Sequence, residues 1–189
     1  YCGELALKNL QDIETILLWN LGVGIHVYRM SSDIFPWMSE YSIDSLPNVR
    51  QIRAQAERIG AIVHEHGLRV SMHPGQFNVL GSPTADLVTK TVWDLDQHSR
   101  IMDMMCLPAT RKFPINIHIG GTYGDKGLTS ERFCANYGRL NESTKRRLVV
   151  ENDDKGTQYS VQDLHDQIWS RIGTSITFDY HHHRFNTSD

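Results

Sequence analysis

Five short stretches with the two-residue alternation of β-strands recur along this chain, at residues 24–32, 68–74, 114–120, 147–153 and 175–181. Segments with helical spacing lie between them. Val49, Ile52, Ala56, Ile59 and Val63 fall three and four residues apart, with Pro47 near the first turn and Gly67 as a stop. Val88, Val92, Leu95, Met102 and Met105 mark another helix, ended by Pro108, and Phe133, Tyr137 and Leu140 mark the next. Ser160 with Asp163 opens a helix carrying Val161, Leu164, Ile168 and Ile172. Ahead of the first strand, a helix starting at Asn9, with Asp12 three residues on, carries Leu10, Ile13 and Leu17. Strands alternating with helices predict βαβ units around a parallel sheet. An open doubly wound sheet and a closed (β/α)8 barrel both satisfy that pattern.

The polar residues favour one of the two. Side chains alternate faces along a strand, so Ile115, Ile117 and Ile119 oppose Asn116, His118 and Gly120. Val70 and Met72 oppose Ser71 and His73, Leu148 and Val150 oppose Glu151 and Asp153, and Ile176 and Phe178 oppose Thr177 and Asp179. One face is apolar throughout and suits outer helices. The other turns polar toward the C-terminal end of each strand. In a barrel those ends converge on one mouth, which would bring His73, His118, Glu151 and Asp179 into a shared space. Two imidazoles and two carboxylates mix nitrogen with hard oxygen donors and suit divalent metal ions. His182, three residues after Asp179, adds a further nitrogen, and His181 and His183 are supporting or alternate ligands. Any one of these residues alone would read as a surface or hydrogen-bonding group. His26, His64, His66, His98 and His165 have no such placement and are read as surface or packing residues.

Two loops follow from the same mouth. Pro74-Gly75 forces a turn that presents Gln76 and Phe77 above the metal ligands. A loop phenylalanine ordinarily tucks into the core; the functional alternative is a polar-aromatic pair that wedges into a base stack. After His118, the glycines of 120–124 free backbone N–H groups for an anion, and Lys126 supplies positive charge. The run Lys145-Arg146-Arg147 reads as a solvated helix end with no role.

Composition sets the outer bounds. The 189 residues are 40% hydrophobic and 22% charged, with a formal net charge of −3, as in a globular domain rather than a basic coat protein. Any nucleic-acid contact must therefore come from a local surface. No apolar run approaches the roughly 20 residues of a membrane span, and no secretory signal pattern opens the chain. Cys2, Cys106 and Cys134 form no CxxC pair and read as reduced, intracellular packing thiols. No linker or low-complexity segment interrupts the series, so residues 1–189 are read as a single domain.

The motifs YRMSSDIFPW (28–37), SMHPGQFNVLGSP (71–83), IHIGGTYGDK (117–126), VVENDD (149–154) and DYHHHRFN (179–186) resemble, in matching order, those of the ultraviolet damage endonuclease family. The segment 36–41 looks closest to the fungal branch. The resemblance implies a TIM barrel, architecturally related to endonuclease IV, with two or three divalent ions at its mouth. Mn²⁺ is the first expectation for these ions, and Mg²⁺ or Zn²⁺ are the alternatives. It implies a DNA repair endonuclease that nicks duplex DNA 5′ of cyclobutane dimers, 6-4 photoproducts and abasic sites. His73, His118, Glu151, Asp179 and His182 are then the metal ligands, with Glu151 bridging ions and Glu151 and Asp179 the catalytic carboxylates. Gln76 and Phe77 match the pair that probes the lesion, though the bacterial pattern has Tyr where this chain has Phe77.

The same resemblance places the family's first strand before Tyr1, and two further strands with more ligands after Asp189. A whole barrel needs about 250 residues, so the expectation is an incomplete barrel of five strands, the middle part of a longer one. Further expectations are damaged double-stranded DNA as partner, a monomer, no membrane, and an intracellular location: the nucleus, or also the mitochondrion, in a eukaryote. Two competing readings stand beside it. One is a sugar isomerase or epimerase of the xylose-isomerase type, which has no use for a wedge loop at 74–77. The other is a truncated, non-catalytic remnant.

Overall fold

A computed structural model of the chain describes residues 1–187; Ser188 and Asp189, the end of the expected domain, lie outside the described residues. Helix α1 (Cys2–Gly22) precedes strand β1 (Val27–Met30). Then come α2 (Val49–Glu65), β2 (Arg69–Met72), α3 (Ala85–Met104), β3 (Ile115–Ile117), α4 (Lys126–Tyr137), α5 (Glu142–Arg147) and β4 (Leu148–Glu151). Helix α6 (Val161–Leu164) runs through a π-helical stretch, His165–Trp169, into α7 (Ser170–Ile172). Strand β5 (Ser175–Thr177) and the short α8 (Tyr180–His183) complete the series.

The five strands form one sheet in the order β1-β2-β3-β4-β5, every neighbouring pair parallel. A doubly wound sheet reverses its strand order at a switch point. This sheet does not reverse, and each of β1 to β4 is joined to the next strand by a helical crossover, as in a barrel wall. Register aligns Met30 with Met72, Met72 with Ile115, and Ile115 with Leu148. That row is buried, together with Val70, Ile117 and Val150, against Ile52, Ile59, Leu95, Met102 and Leu164 of the helices.

Local sequence explains several boundaries. Gly67 ends α2 at φ +63°, a left-handed conformation that costs glycine nothing. Ser160 and Asp163 form the expected capping box at α6. The first helix departs from expectation. It begins at Cys2, and Asn9 lies within it, its Nδ2 donating to the Ile34 carbonyl at 2.9 Å. Asn9 therefore staples α1 to the segment after β1 instead of capping a helix. The strands are shorter than their alternation suggested, because their polar last residues lie just beyond the final ladder bonds. Among the described residues, no helix is long and apolar enough to cross a membrane.

Candidate metal centre

The residues that leave the ladder gather at the C-terminal ends of β2 to β5. His73 follows β2 directly, His118 follows β3, Glu151 closes β4, and Asp179 comes two residues after β5. Asp179 also caps α8, its Oδ1 accepting from the His182 N–H at 2.9 Å, and this turn brings His182 back toward β4. All five candidate ligands are thus brought together. They form two groups whose ligand atoms lie within 4.8 Å of one another: His73, His118 and Glu151, and Glu151, Asp179 and His182. Glu151 belongs to both. Its Oε2 lies 3.4 Å from His73 Nε2 and its Oε1 lies 3.6 Å from His182 Nδ1.

The surroundings fix how each donor is presented. His73 Nδ1 lies 3.2 Å from the Pro74 carbonyl, which turns Nε2 toward Glu151. His182 Nδ1 donates to the Asn152 carbonyl at 2.8 Å. His118 Nδ1 is buried 3.0 Å from Asp153 Oδ1 without an aligned hydrogen bond. An outer carboxylate behind an imidazole is the usual way to orient a histidine ligand. Burial lowers the His118 pKa, but Asp153 and Glu151 outweigh it, and the net shift is upward. Burial alone would raise the Glu151 carboxyl; the hydrogen bond to His73, the nearby His118 and the Asn116 amide hold it below the usual range. Asp179 is also held low, chiefly by the His182 backbone N–H. Both carboxylates are ionised at neutral pH, as ligands must be.

Asn116, Asn152 and Asp153 carry much of this scaffold. Asn116 Nδ2 donates to Glu151 Oε2. Buried Asn152 ties the ends of β4 and β5 together, donating to the Asp179 carbonyl at 3.1 Å and accepting from its N–H at 2.8 Å. The strand pattern places Asn116 and Asp153 on the polar face, but nothing in it marks them as partners of the ligands. Asn152 gives no signal of this kind, since its role arises only after the chain has left β4.

The loops sort differently. Phe77 is 79% exposed, so it is not a core residue, and Gln76 is exposed beside it. Gln76 and Phe77 line a cavity of about 330 Å³ with His118, Gly120, Asp153 and Lys155. Gly120, at φ +89°, lets this loop pass where a Cβ would meet Val79 at 2.8 Å. Lys126 is not brought to the cluster. Its ammonium pairs with Asp163 at 2.8 Å and sits 5.8 Å from the Tyr159 ring centre, so its charge serves the α4–α6 contact. Lys155, which the loop pattern did not single out, is the lysine that borders the cavity. His181 packs on Phe185 and His183 on Phe178, and neither belongs to either ligand group.

Known proteins share this arrangement of elements. The sequence pattern of the family described as UV-endonuclease UvdE matches residues 2–189. The chain is similar to the UV-damage endonuclease of Neurospora crassa, with 40% identity over 187 residues, covering 97% of this chain and 28% of that protein. It is 35% identical to the UV DNA damage endonuclease of Clostridium perfringens over 179 residues, covering 95% of this chain and 42% of that protein. Among solved structures, the crystal structure of SacUVDE matches with a TM-score of 0.88 and 32% identity, over 98% of this chain and 62% of that one. The five-stranded sheet is accordingly part of a TIM-barrel-like α/β fold. The chain spans from 28% to 62% of the length of these relatives.

Proposed function

Because the chain belongs to the UV-endonuclease UvdE family, we propose that it carries the metal-holding core of an endonuclease. That enzyme nicks duplex DNA 5′ of ultraviolet photoproducts and other helix-distorting lesions. The observation that carries this reading is the pairing of two ligand groups sharing Glu151 with an exposed Phe77 on the adjoining loop. The donors fit divalent ions: three imidazoles and two ionised carboxylates, with the His73 ring held by its backbone contact so that Nε2 points inward. Such a mixed nitrogen–oxygen set suits Mn²⁺ or Zn²⁺ better than Mg²⁺, which prefers oxygen alone.

Bound there, divalent ions supply Lewis acidity and neutralise charge on the phosphodiester. The chain's own residues do the rest. Glu151 joins the two ligand groups and sets their separation. Asp179 has Oδ1 tied to the His182 N–H and keeps Oδ2 to orient the attacking water, whose oxygen would bond to phosphorus as the P–O3′ bond breaks, its proton passing by way of Oδ2 to the departing 3′ oxygen. Phe77 offers a ring face in place of a neighbouring base, and Gln76 offers hydrogen bonds to the bases it displaces. A lesion that weakens stacking makes that displacement less costly, and this is the source of selectivity.

The test is nicking of an end-labelled, ultraviolet-irradiated duplex in Mn²⁺, comparing the wild-type chain with Glu151→Gln. The wild type nicks beside the lesion, and the variant loses about 10³-fold in rate, roughly 4 kcal/mol. Equal cleavage by the two proteins would refute the assignment. A wild-type chain that binds Mn²⁺ but leaves the duplex intact would favour the remnant reading.

A further inference from the structure

Backbone strain falls unevenly on this molecule. Three non-glycine residues among those described have positive φ: Trp37 (56°), Cys106 (55°) and Tyr123 (50°). Bulky residues rarely adopt this conformation, and it persists only where the surroundings hold it in place. Cys106 lies between α3 and β3, at the end of the sheet away from the ligands. Trp37 and Tyr123 both lie at the ligand end, on the loops that follow β1 and β3.

Both loops are held firmly while the strained side chain is left out. Around Trp37, Phe35 and Met38 are buried, Tyr41 Oη donates to the Pro36 carbonyl at 2.8 Å, and Trp93 Nε1 donates to the Met38 carbonyl at 3.3 Å. The indole itself is 69% exposed. Around Tyr123, the Asp125 N–H closes a turn on the Thr122 carbonyl at 2.9 Å, and Thr129 Oγ1 donates to the same carbonyl at 2.6 Å. Tyr123 and Gly124 occupy the two centre positions of that turn, both at positive φ, where Asn or Gly is the ordinary choice. The phenol ring is 48% exposed, with the Arg132 guanidinium 5.8 Å from its centre. The fold thus keeps two aromatic residues in a costly conformation and gains little burial from either.

Their placement supplies a use. Strands β1, β2 and β3 are adjacent in that order, so the loops carrying Trp37, Phe77 and Tyr123 stand side by side along the mouth. We infer that Trp37 and Tyr123 are DNA-positioning residues, aromatic contacts that grip the nucleic acid on either side of Phe77. Exposed rings in a row offer π-faces to bases or sugars without sequence preference. The Arg132 guanidinium, held by the Gly81 carbonyl and Thr129 Oγ1 at 2.8 Å each, places positive charge beside that ring. The inference rests on the endonuclease reading above.

The experiment pairs stability with affinity. Asn tolerates left-handed backbone, so Trp37→Asn and Tyr123→Asn remove the ring and relieve the strain together. Each variant keeps or raises the wild-type Tm, yet binds an ultraviolet-irradiated duplex about 5- to 100-fold more weakly. Cys106→Asn relieves the same strain at the far end and leaves DNA affinity unchanged, while Trp37→Phe restores most of the affinity. Unchanged affinity in both Asn variants would overturn the inference, as would a fall in Tm that accounts for the weaker binding. If Phe77→Ala weakens binding while Trp37→Asn and Tyr123→Asn do not, this inference fails and the endonuclease reading stands. If the wild-type chain does not bind the irradiated duplex, both fail together.

Discussion

Strand β4 has a buried charge at each end, and the two are held in opposite ways. Arg147, immediately before the strand, is fully buried. Its guanidinium donates to the carbonyls of Leu107 and Pro108 at 2.7 and 3.0 Å, and pairs with Asp103 at 2.7 Å. Two of these three partners are backbone carbonyls, which are fixed and do not titrate, so this charge is built into the fold. Glu151, the last residue of the strand, is held by three imidazoles and an amide. Those imidazoles are side chains that can take up a proton or offer a nitrogen to an ion. A buried charge tied mainly to backbone is architecture; one surrounded by titratable side chains is a candidate site.

Substitutions sharpen that contrast. Arg147→Met removes a guanidinium whose loss strands the Leu107 and Pro108 carbonyls and Asp103. It is expected to destabilise the fold by about 3–5 kcal/mol in denaturant unfolding, while nicking per folded molecule stays at the wild-type rate. A stable variant would break the comparison from the structural side. Asp153→Asn tests the other end, since it weakens the group behind His118 without removing a ligand. Metal affinity should fall about 10- to 100-fold by calorimetry with little change in Tm, and unaltered affinity would show that Asp153 does not orient His118.

A smaller effect comes from His98 on α3, which belongs to neither ligand group. It is 1% exposed, its Nδ1 donates to the Asp94 carbonyl at 2.8 Å, and its Nε2 has no partner. Burial holds its pKa below the ordinary 6.5, against the pull of Asp94 and Asp33. As the pH falls below 6.5, the unfolded chain takes up a proton that the folded chain still refuses. Its contribution to stability is therefore complete above that pH and is lost on acidification toward the lowered native value. His98→Gln should flatten the fall in Tm between about pH 7 and about pH 5. Parallel curves for the two proteins would contradict that assignment.

These two ends also mark what the sequence could reveal. The grouping of the candidate ligands was legible because a strand's period of two separates faces without knowledge of its neighbours. His118 and Glu151 declared themselves by sharing a face opposite Ile117 and Val150. Arg147 did not. A Lys-Arg-Arg run looks solvated, and only the packing of α5 against α3 reveals that its last member points into carbonyls left open after α3. The position of Lys126 was hidden for a related reason: it follows the glycine turn in sequence, but Asp163, 37 residues later, decides where its ammonium sits. Asn9 looked like a helix cap because its partner, the Ile34 carbonyl, lies 25 residues away. Exposure of Phe77 could not be read from its loop either, since a turn signal says nothing about which way the ring falls.

Calorimetric titration of the metal-free chain with Mn²⁺ tests the central claim most directly, because both ligand groups run through Glu151. The wild-type chain should bind two ions. His182→Ala should lose one of them, and Glu151→Gln should lose both. A Glu151→Gln chain that retains an ion at wild-type affinity would contradict the shared-carboxylate site.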